Sequence, residues 1–244
     1  LNTLKCRLTK NSGSNAINLT YLVLQVDYDD NPKSTYDPYR ALLADFEQNA
    51  MTDEFGNTAT TLGTIALSTT RAKRGSTSLR MSPANGARGY IQTQLSGAEN
   101  VNNRVWTGAF WIWIETRQSS GNLDIGGIYL NTNIGAYICV DTSGGIAYRT
   151  NATTGSFTAS NTLQTGKWHH VAYHIEYGDS SNGVIKVWVD SVIKINENTL
   201  TMVSYATPIY RFGTATNVTG GCDVYYDQII IETGWKIPTP DSII

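Results

Sequence analysis

At 244 residues the chain can bury one large core without cross-links. A formal net charge of -2, with only 16% charged residues and no Lys/Arg run, excludes a broad nucleic-acid footprint. Cys6, Cys139 and Cys222 stand too far apart for a zinc ribbon, a CxxC redox pair or a dense disulfide scaffold; one disulfide plus a thiol and three thiols both fit.

The chain starts at Leu1 rather than Met, as in a processed product or a portion of something longer, and no apolar run is long enough for a membrane span. Two apolar stretches come first, LKCRLT and AINLTYLVLQVDY, the second too apolar to hang free, so it must pair with its own domain, a preceding one or a neighbouring subunit. DDNPKSTYDPY, polar and with two prolines, reads as a linker. Asp27 just before it, with its own Asp29 and Asp30, lacks the Gly and terminal Glu of an EF-hand, and the cluster reads as solvated acids. The expected division is an N-terminal β arm and linker, 1–38, followed by a main domain, 39–244.

PYRALLADFEQNAM offers a helical face of Leu42, Leu43 and Phe46, yet ALLADFE reads equally well as a short buried strand. Thereafter short runs rich in β-branched and aromatic residues alternate with Gly, Asn, Ser and Asp clusters: IALST, TSLRMS, RGYIQTQ, VWTGAFWIWIET, GIYLNT, GAYICVD, GIAYRTN, GSFTAS, WHHVAYHIEY, VIKVWVDSVIKI, PIYRFGT and CDVYYDQIIIET. With ALLADFE and the arm they make fifteen strands, which implies an all-β chain of two stacked sheets.

GKWHHVAYHIEY holds every histidine of the chain: His169, His170 and His174. As a helix it lacks the Glu of a zinc-protease motif, because Val171 stands there. As a strand it turns His169 and His170 to opposite faces and sets His170 about 13 Å from His174, too far for two ligands of one zinc ion.

Taken in order, these segments resemble the laminin G-like, concanavalin A-like jelly roll. LLADFEQNAMTDEFGN is similar to its first strand and loop, AKRGSTSLRM with GYIQT to its Ser-Leu and aromatic strands, and WTGAFWIWI to its Trp strand. TGKWHHVAYHIEY followed by GVIKVWVDSVIKI is the most specific match, although the hairpin turn reads Asp190-Ser191 where Asp-Gly is usual. CDVYYDQIIIE resembles the closing strand. The resemblance covers about residues 40 to 235 and implies a two-sheet antiparallel jelly-roll sandwich with a short N-terminal β arm. Function does not follow from it, because lectins, carbohydrate-binding modules, glycosidases, lyases and phage structural proteins share the fold. It implies a structural Ca2+ held by Glu47 and Asp227. It also implies that Trp111 packs between the sheets.

Hydrolases of this fold resemble one another in a Glu-x-Asp-x-Glu type triplet, and alginate-type lyases in a Gln-x-His pair with a Tyr and an Arg. Neither pattern occurs here. His174 with Tyr148 and Arg149 is a lyase set assembled from parts, without support from spacing. Strand alternation instead turns Trp113, Tyr137, His174 and Trp188 away from the core, where aromatic faces and polar neighbours suit sugar rings. The expectation is a non-catalytic module of an extracellular or virion-surface protein, serving adhesion, glycan binding or assembly such as phage decoration. Its partners would be surface glycans or neighbouring subunits, with no nucleic acid. The alternative is a polysaccharide lyase or glycoside hydrolase.

Overall fold

A computed structural model describes residues 40–44, 46–47, 59–94, 105–130, 133–150, 154–178, 181–202, 208–215 and 217–233. The chain divides into two units, Leu1–Thr35 and Tyr36–Ile244, and all described residues belong to the second. The expected arm lies outside them.

Among the described residues fourteen strands form two antiparallel sheets: β1 (Arg40–Ala44), β2 (Thr60–Gly63), β3 (Ile65–Ser68), β4 (Ser78–Met81), β5 (Gly89–Gln94), β6 (Val105–Thr116), β7 (Leu123–Leu130), β8 (Asn133–Val140), β9 (Ile146–Thr150), β10 (Trp168–Glu176), β11 (Gly183–Val189), β12 (Val192–Leu200), β13 (Pro208–Thr214) and β14 (Asp223–Thr233). The eight-stranded sheet runs β12-β11-β10-β6-β14-β4-β3, with β1 beside β14; the six-stranded sheet runs β2-β5-β13-β7-β8-β9. No helix among the described residues is long and apolar enough to cross a membrane.

The period-two pattern sets which face is buried. Along β11, GVIKVWV buries every second residue, so Ile185, Val187 and Val189 join the core while Lys186 and Trp188 lie on the outer face. Phe110, Ile112 and Ile114 of β6 and Val171, Tyr173 and Ile175 of β10 point the same way, meeting Ile128, Ile138, Tyr210 and Phe212 of the six-stranded sheet in one core cluster. At its centre Phe110 meets Phe212 edge-on, ring centroids 5.4 Å apart, and Tyr226 at 5.8 Å. A Cβ on Gly126 would press on both phenylalanine rings at 3.1 Å, so glycine lets β7 approach them.

Two expectations need correction. GSFTAS forms no strand; its Thr158 instead binds β9 through mutual backbone contact with Ile146, donating N–H to the Ile146 carbonyl and accepting the Ile146 N–H on Oγ1. Trp111 lies on the outer face of the eight-stranded sheet, because its neighbours Phe110 and Ile112 take the inward positions; Trp106 supplies the buried indole. Of the two readings of PYRALLADFEQNAM the structure takes the strand, over Arg40–Ala44. The Asp190-Ser191 turn is tight all the same, with φ of 50° and 68° at the two residues. Asp190 compensates by accepting the His170 backbone N–H at 2.9 Å and binding His169 Nδ1 at 2.8 Å.

Candidate functional site

The two outer faces carry different chemistry. On the eight-stranded sheet, pairing aligns Trp168, Trp113 and Tyr225 in one row, His170, Trp111 and Asp227 in the next, and Lys186, His174, Thr107 and Glu232 in another. The tryptophans are not bare platforms. The Arg71 guanidinium lies 4.3 Å over Trp113, and Glu115 bridges the two, accepting Arg71 Nε at 2.7 Å and Trp113 Nε1 at 2.8 Å. The Lys73 ammonium lies 4.1 Å over Trp111.

The three histidines have different surroundings. His169 accepts the Gln164 backbone N–H on Nε2, which leaves Nδ1 to donate to Asp190. His174, fully buried, is hydrogen-bonded to Glu176 at 2.8 Å, and burial pushes its pKa down. Burial depresses His170 further, to about 4, against the opposing pull of Asp190. Among the described residues no group of three or more His, Cys, Asp or Glu could hold a metal ion.

The His170 shift predicts an acid-labile fold. Between pH 6.5 and 4 the unfolded chain takes up a proton that folded His170 does not, so this residue's contribution falls as the pH drops, by about 3 kcal/mol at most. His170→Gln removes the linkage. The difference in melting temperature between wild type and variant should change in the variant's favour from pH 7 to pH 4.5; a constant difference would refute the assignment.

On the six-stranded sheet, a polar row crosses five strands. Gln92 of β5 is registered with Arg211 of β13, Arg211 with Gly127 of β7, Gly127 with Tyr137 of β8, and Tyr137 with Arg149 of β9. At about 4.8 Å per strand the row is about 19 Å long. Gln92 Oε1 accepts both Arg211 Nε, at 3.1 Å, and Nη2, at 2.7 Å, and the same guanidinium lies 4.3 Å over the Tyr90 ring, which fixes its plane. Gly127 leaves the centre of the row without a side chain, and a Cβ there would collide with the Ala136 carbonyl oxygen.

Beside the row, Asp124 of β7 is 2% exposed. Arg149 reaches across β8 to bind it, Nη2 to Oδ2 at 3.1 Å. Burial pushes the Asp124 carboxyl up, opposed by the charges of Arg149 and Arg211. Cys139, the β8 residue opposite Asp124, is pushed up to about 12 by burial and stays a thiol, which excludes it as a nucleophile. Two cations, a carboxylate, an amide and a phenol thus share one face. Such a set can bind a carboxylate and move a proton beside it.

Glu47 and Asp227 meet at the loop before β4. Glu47 accepts the backbone N–H groups of Ser76, at 3.0 Å, and Thr77, at 2.9 Å, which hold its pKa down. Asp227 Oδ2 accepts those of Lys73, at 2.7 Å, and Arg74, at 3.1 Å. Asp227 is fully buried, and its Oδ1 meets no partner among the described residues. Burial, with a smaller push from Glu47, raises its pKa to about 6. An orphaned carboxylate oxygen with the charge of a second acid acting on it fits a hard cation.

The model of the polysaccharide lyase family matches residues 74–230, a span that contains the whole row. The chain belongs to the polysaccharide lyase family. By fold it is similar to an endo-β-1,4-glucuronan lyase from the fungus Trichoderma reesei, with 16% identity, a TM-score of 0.52, and coverage of 71% of this chain and 88% of that one. It is similar as well to domain 4 of a GH43 extracellular arabinanase from Geobacillus stearothermophilus, solved with arabinotriose, at 19% identity, TM-score 0.56, and coverage of 84% and 96%. A third likeness is to the binding domain of botulinum neurotoxin DC solved with rat synaptotagmin II, at 12% identity and TM-score 0.61; 86% of this chain aligns, spanning about half, 51%, of that one. At these identities the structures show the fold alone. No protein of curated function matches the sequence significantly.

Membership of a lyase family overturns the expectation of a non-catalytic module. The residues expected to bind glycan also divide. Trp113, His174 and Trp188 share the outer face of the eight-stranded sheet, whereas Tyr137 lies on the opposite side of the molecule, because β8 belongs to the six-stranded sheet. The set His174, Tyr148 and Arg149 is not assembled either: His174 is on the far sheet and Tyr148 points into the core. Gln92, Asp124 and Arg211 went unnoticed in the sequence. The available signal was a charged or amide side chain at an outward position of an otherwise apolar strand.

Proposed function

We propose that the chain cleaves an acidic polysaccharide by β-elimination on the outer face of the six-stranded sheet. The observation that carries this reading is the Gln92–Arg211–Tyr137–Arg149 row within the lyase-family span. In such a reaction a base removes the proton at C5 of a uronate, the electron pair forms the C4=C5 double bond, the bond from C4 to the leaving oxygen breaks, and that oxygen takes up a proton. The proton at C5 becomes removable only when the negative charge gathering on the carboxylate is met. Arg211, its plane set by Gln92 and Tyr90, is the group that meets it, by charge-assisted hydrogen bonds. Tyr137, one strand beyond the Gly127 gap, is the proton-transfer group, and Arg149 opposite it is the charge a phenolate would face.

The glucuronan lyase of similar fold makes polyglucuronate the first substrate to try. Incubation with de-esterified polyglucuronate and with other polyuronates is expected to release products with the ultraviolet absorbance of the unsaturated uronate. Reducing ends without that absorbance would indicate hydrolysis and overturn the elimination mechanism.

For Glu47 and Asp227 we propose the structural Ca2+ that the fold resemblance implies, with Asp227 Oδ1 as the atom that most needs it. At an ion concentration about a hundredfold above its dissociation constant the ion should add about 3 kcal/mol, or about 5 °C or more in melting temperature. Chelation should remove this gain, and Asp227→Asn should make the protein indifferent to calcium. Equal melting in calcium and in chelator would leave the two acids as clamps of the loop alone.

A further inference from the structure

Arg80 and Arg71 both lie on the outer face of the eight-stranded sheet, and they are used differently. Arg80 of β4 closes its fork on Asp223, Nε to Oδ1 at 2.9 Å and Nη2 to Oδ2 at 2.7 Å. Arg71, from the loop between β3 and β4, spends Nε alone, on Glu115, while its guanidinium lies over Trp113. Arg71 Nη1 and Nη2 meet no partner among the described residues, and the side chain is 33% exposed. A guanidinium already placed by an aromatic ring and one hydrogen bond loses little freedom when it binds. Its open Nη1–Nη2 end suits the two oxygens of a carboxylate.

An aromatic surface adjoins it. Trp168 of β10 is registered with Trp113 of β6, and the two half-buried rings meet edge-on, centroids 6.0 Å apart. Lys167, exposed, directly precedes Trp168 and adds a further cation. An indole gives the C–H face of a sugar ring an apolar surface to lie on. A carboxylate for the guanidinium and a pyranose ring for the indole are the two halves of one uronate unit; a neutral sugar would leave the open fork unused, and a simple anion the indole.

We propose that Arg71, Trp113 and Trp168 form a second saccharide site, which holds one uronate unit of an acidic polysaccharide on the face away from the reacting row. The partner's chemistry rests on the lyase reading, but the site shares no residue with it. A trisaccharide occupies one outer face at a time, because two sheets packed about 10 Å apart lie between the faces. A polymer engages both, and holding it at one point raises its effective concentration at the other.

The test uses the full chain carrying Tyr137→Phe, so that the polymer is not cut, in affinity electrophoresis through gels containing de-esterified polyglucuronate, its methyl ester or no polysaccharide. Arg71→Gln is expected to weaken binding of the free acid about fivefold or more and to leave binding of the ester unchanged. Trp168→Ala should weaken both by a similar factor, and because it leaves both Arg71 contacts in place it keeps the test decisive if Arg71→Gln disturbs the loop. In the active chain the same substitutions should lower kcat/KM for the polymer about threefold or more and leave that for a trisaccharide within about twofold. No retardation of the parent chain, or unchanged retardation in both variants, overturns the proposal and leaves the row as a clamp of the loop before β4. An equal fall with the trisaccharide overturns it as well, since the effect would then reach the reacting face through the fold. If the active chain eliminates nothing from any polyuronate, the lyase reading fails by itself, and the gels still decide the second site.

Discussion

Replacing Tyr137 with Phe is expected to lower the rate of elimination about a thousandfold while leaving the melting temperature within about 2 °C, because the change removes one oxygen and no packing surface. The phenol is held in place from both sides. β8 lies between β7 and β9, its neighbours Ala136 and Ile138 are anchored in the core, and Arg149 stands opposite on β9. Arg211→Ala should cost a similar factor in kcat/KM, since the charge developing on the substrate carboxylate would lose its cation; Arg211→Lys should recover only part, because a lysine offers no planar fork to Gln92 and stacks less well on Tyr90. Initial rates by product absorbance, with melting curves on the same samples, check both. Activity of Tyr137→Phe within about tenfold of wild type would remove the phenol from the proposed chemistry. Loss of activity in His174→Ala instead would move the reacting site to the eight-stranded sheet.

The largest effect on stability is expected at Phe110. This ring is fully buried, packs edge-on against Phe212 and tilted against Tyr226, and fills the space that Gly126 leaves open. Phe110→Ala removes those contacts and leaves a cavity between the sheets that backbone anchored in two ladders is poorly able to close, at a cost of about 4 kcal/mol. That is a large share of the stability of an ordinary domain. It corresponds to about 10 °C in melting temperature. Phe110→Leu, which keeps most of the volume, should cost about 1 kcal/mol. Thermal or urea unfolding of the two variants measures both. A loss below about 1 kcal/mol for the alanine would mean that the sheets close over the gap, and that the core is softer than the Phe110–Phe212–Tyr226 packing implies.

Both predictions depend on which side of which sheet a residue occupies, and the sequence reaches only part of that. Alternation alone placed Phe110, Ile112 and Ile114 inward and Trp188, His174 and Tyr137 outward, because a strand's side chains alternate whatever its neighbours are. The all-β class, most strand positions and the His-rich strand as a fold signature were legible for the same reason: they are local. Which outer face a residue joins is not local. Tyr137 and His174 read alike in sequence, but hydrogen bonding assigns β8 to the six-stranded sheet and β10 to the eight-stranded one, so they stand on opposite sides of the molecule. Gln92, Asp124, Tyr137, Arg149 and Arg211 come from five strands spread over some hundred and twenty positions of the chain, and only the order β5-β13-β7-β8-β9 brings them into one patch. GSFTAS carries strand-like residues yet forms no strand, because the ladder it would need is already used by β8 on the one side of β9 and Thr158 satisfies β9 on the other. What the chain determines by itself is the face of each strand; what tertiary structure decides is which faces meet, because strand pairing joins residues distant in sequence at a cost and benefit that no short segment contains.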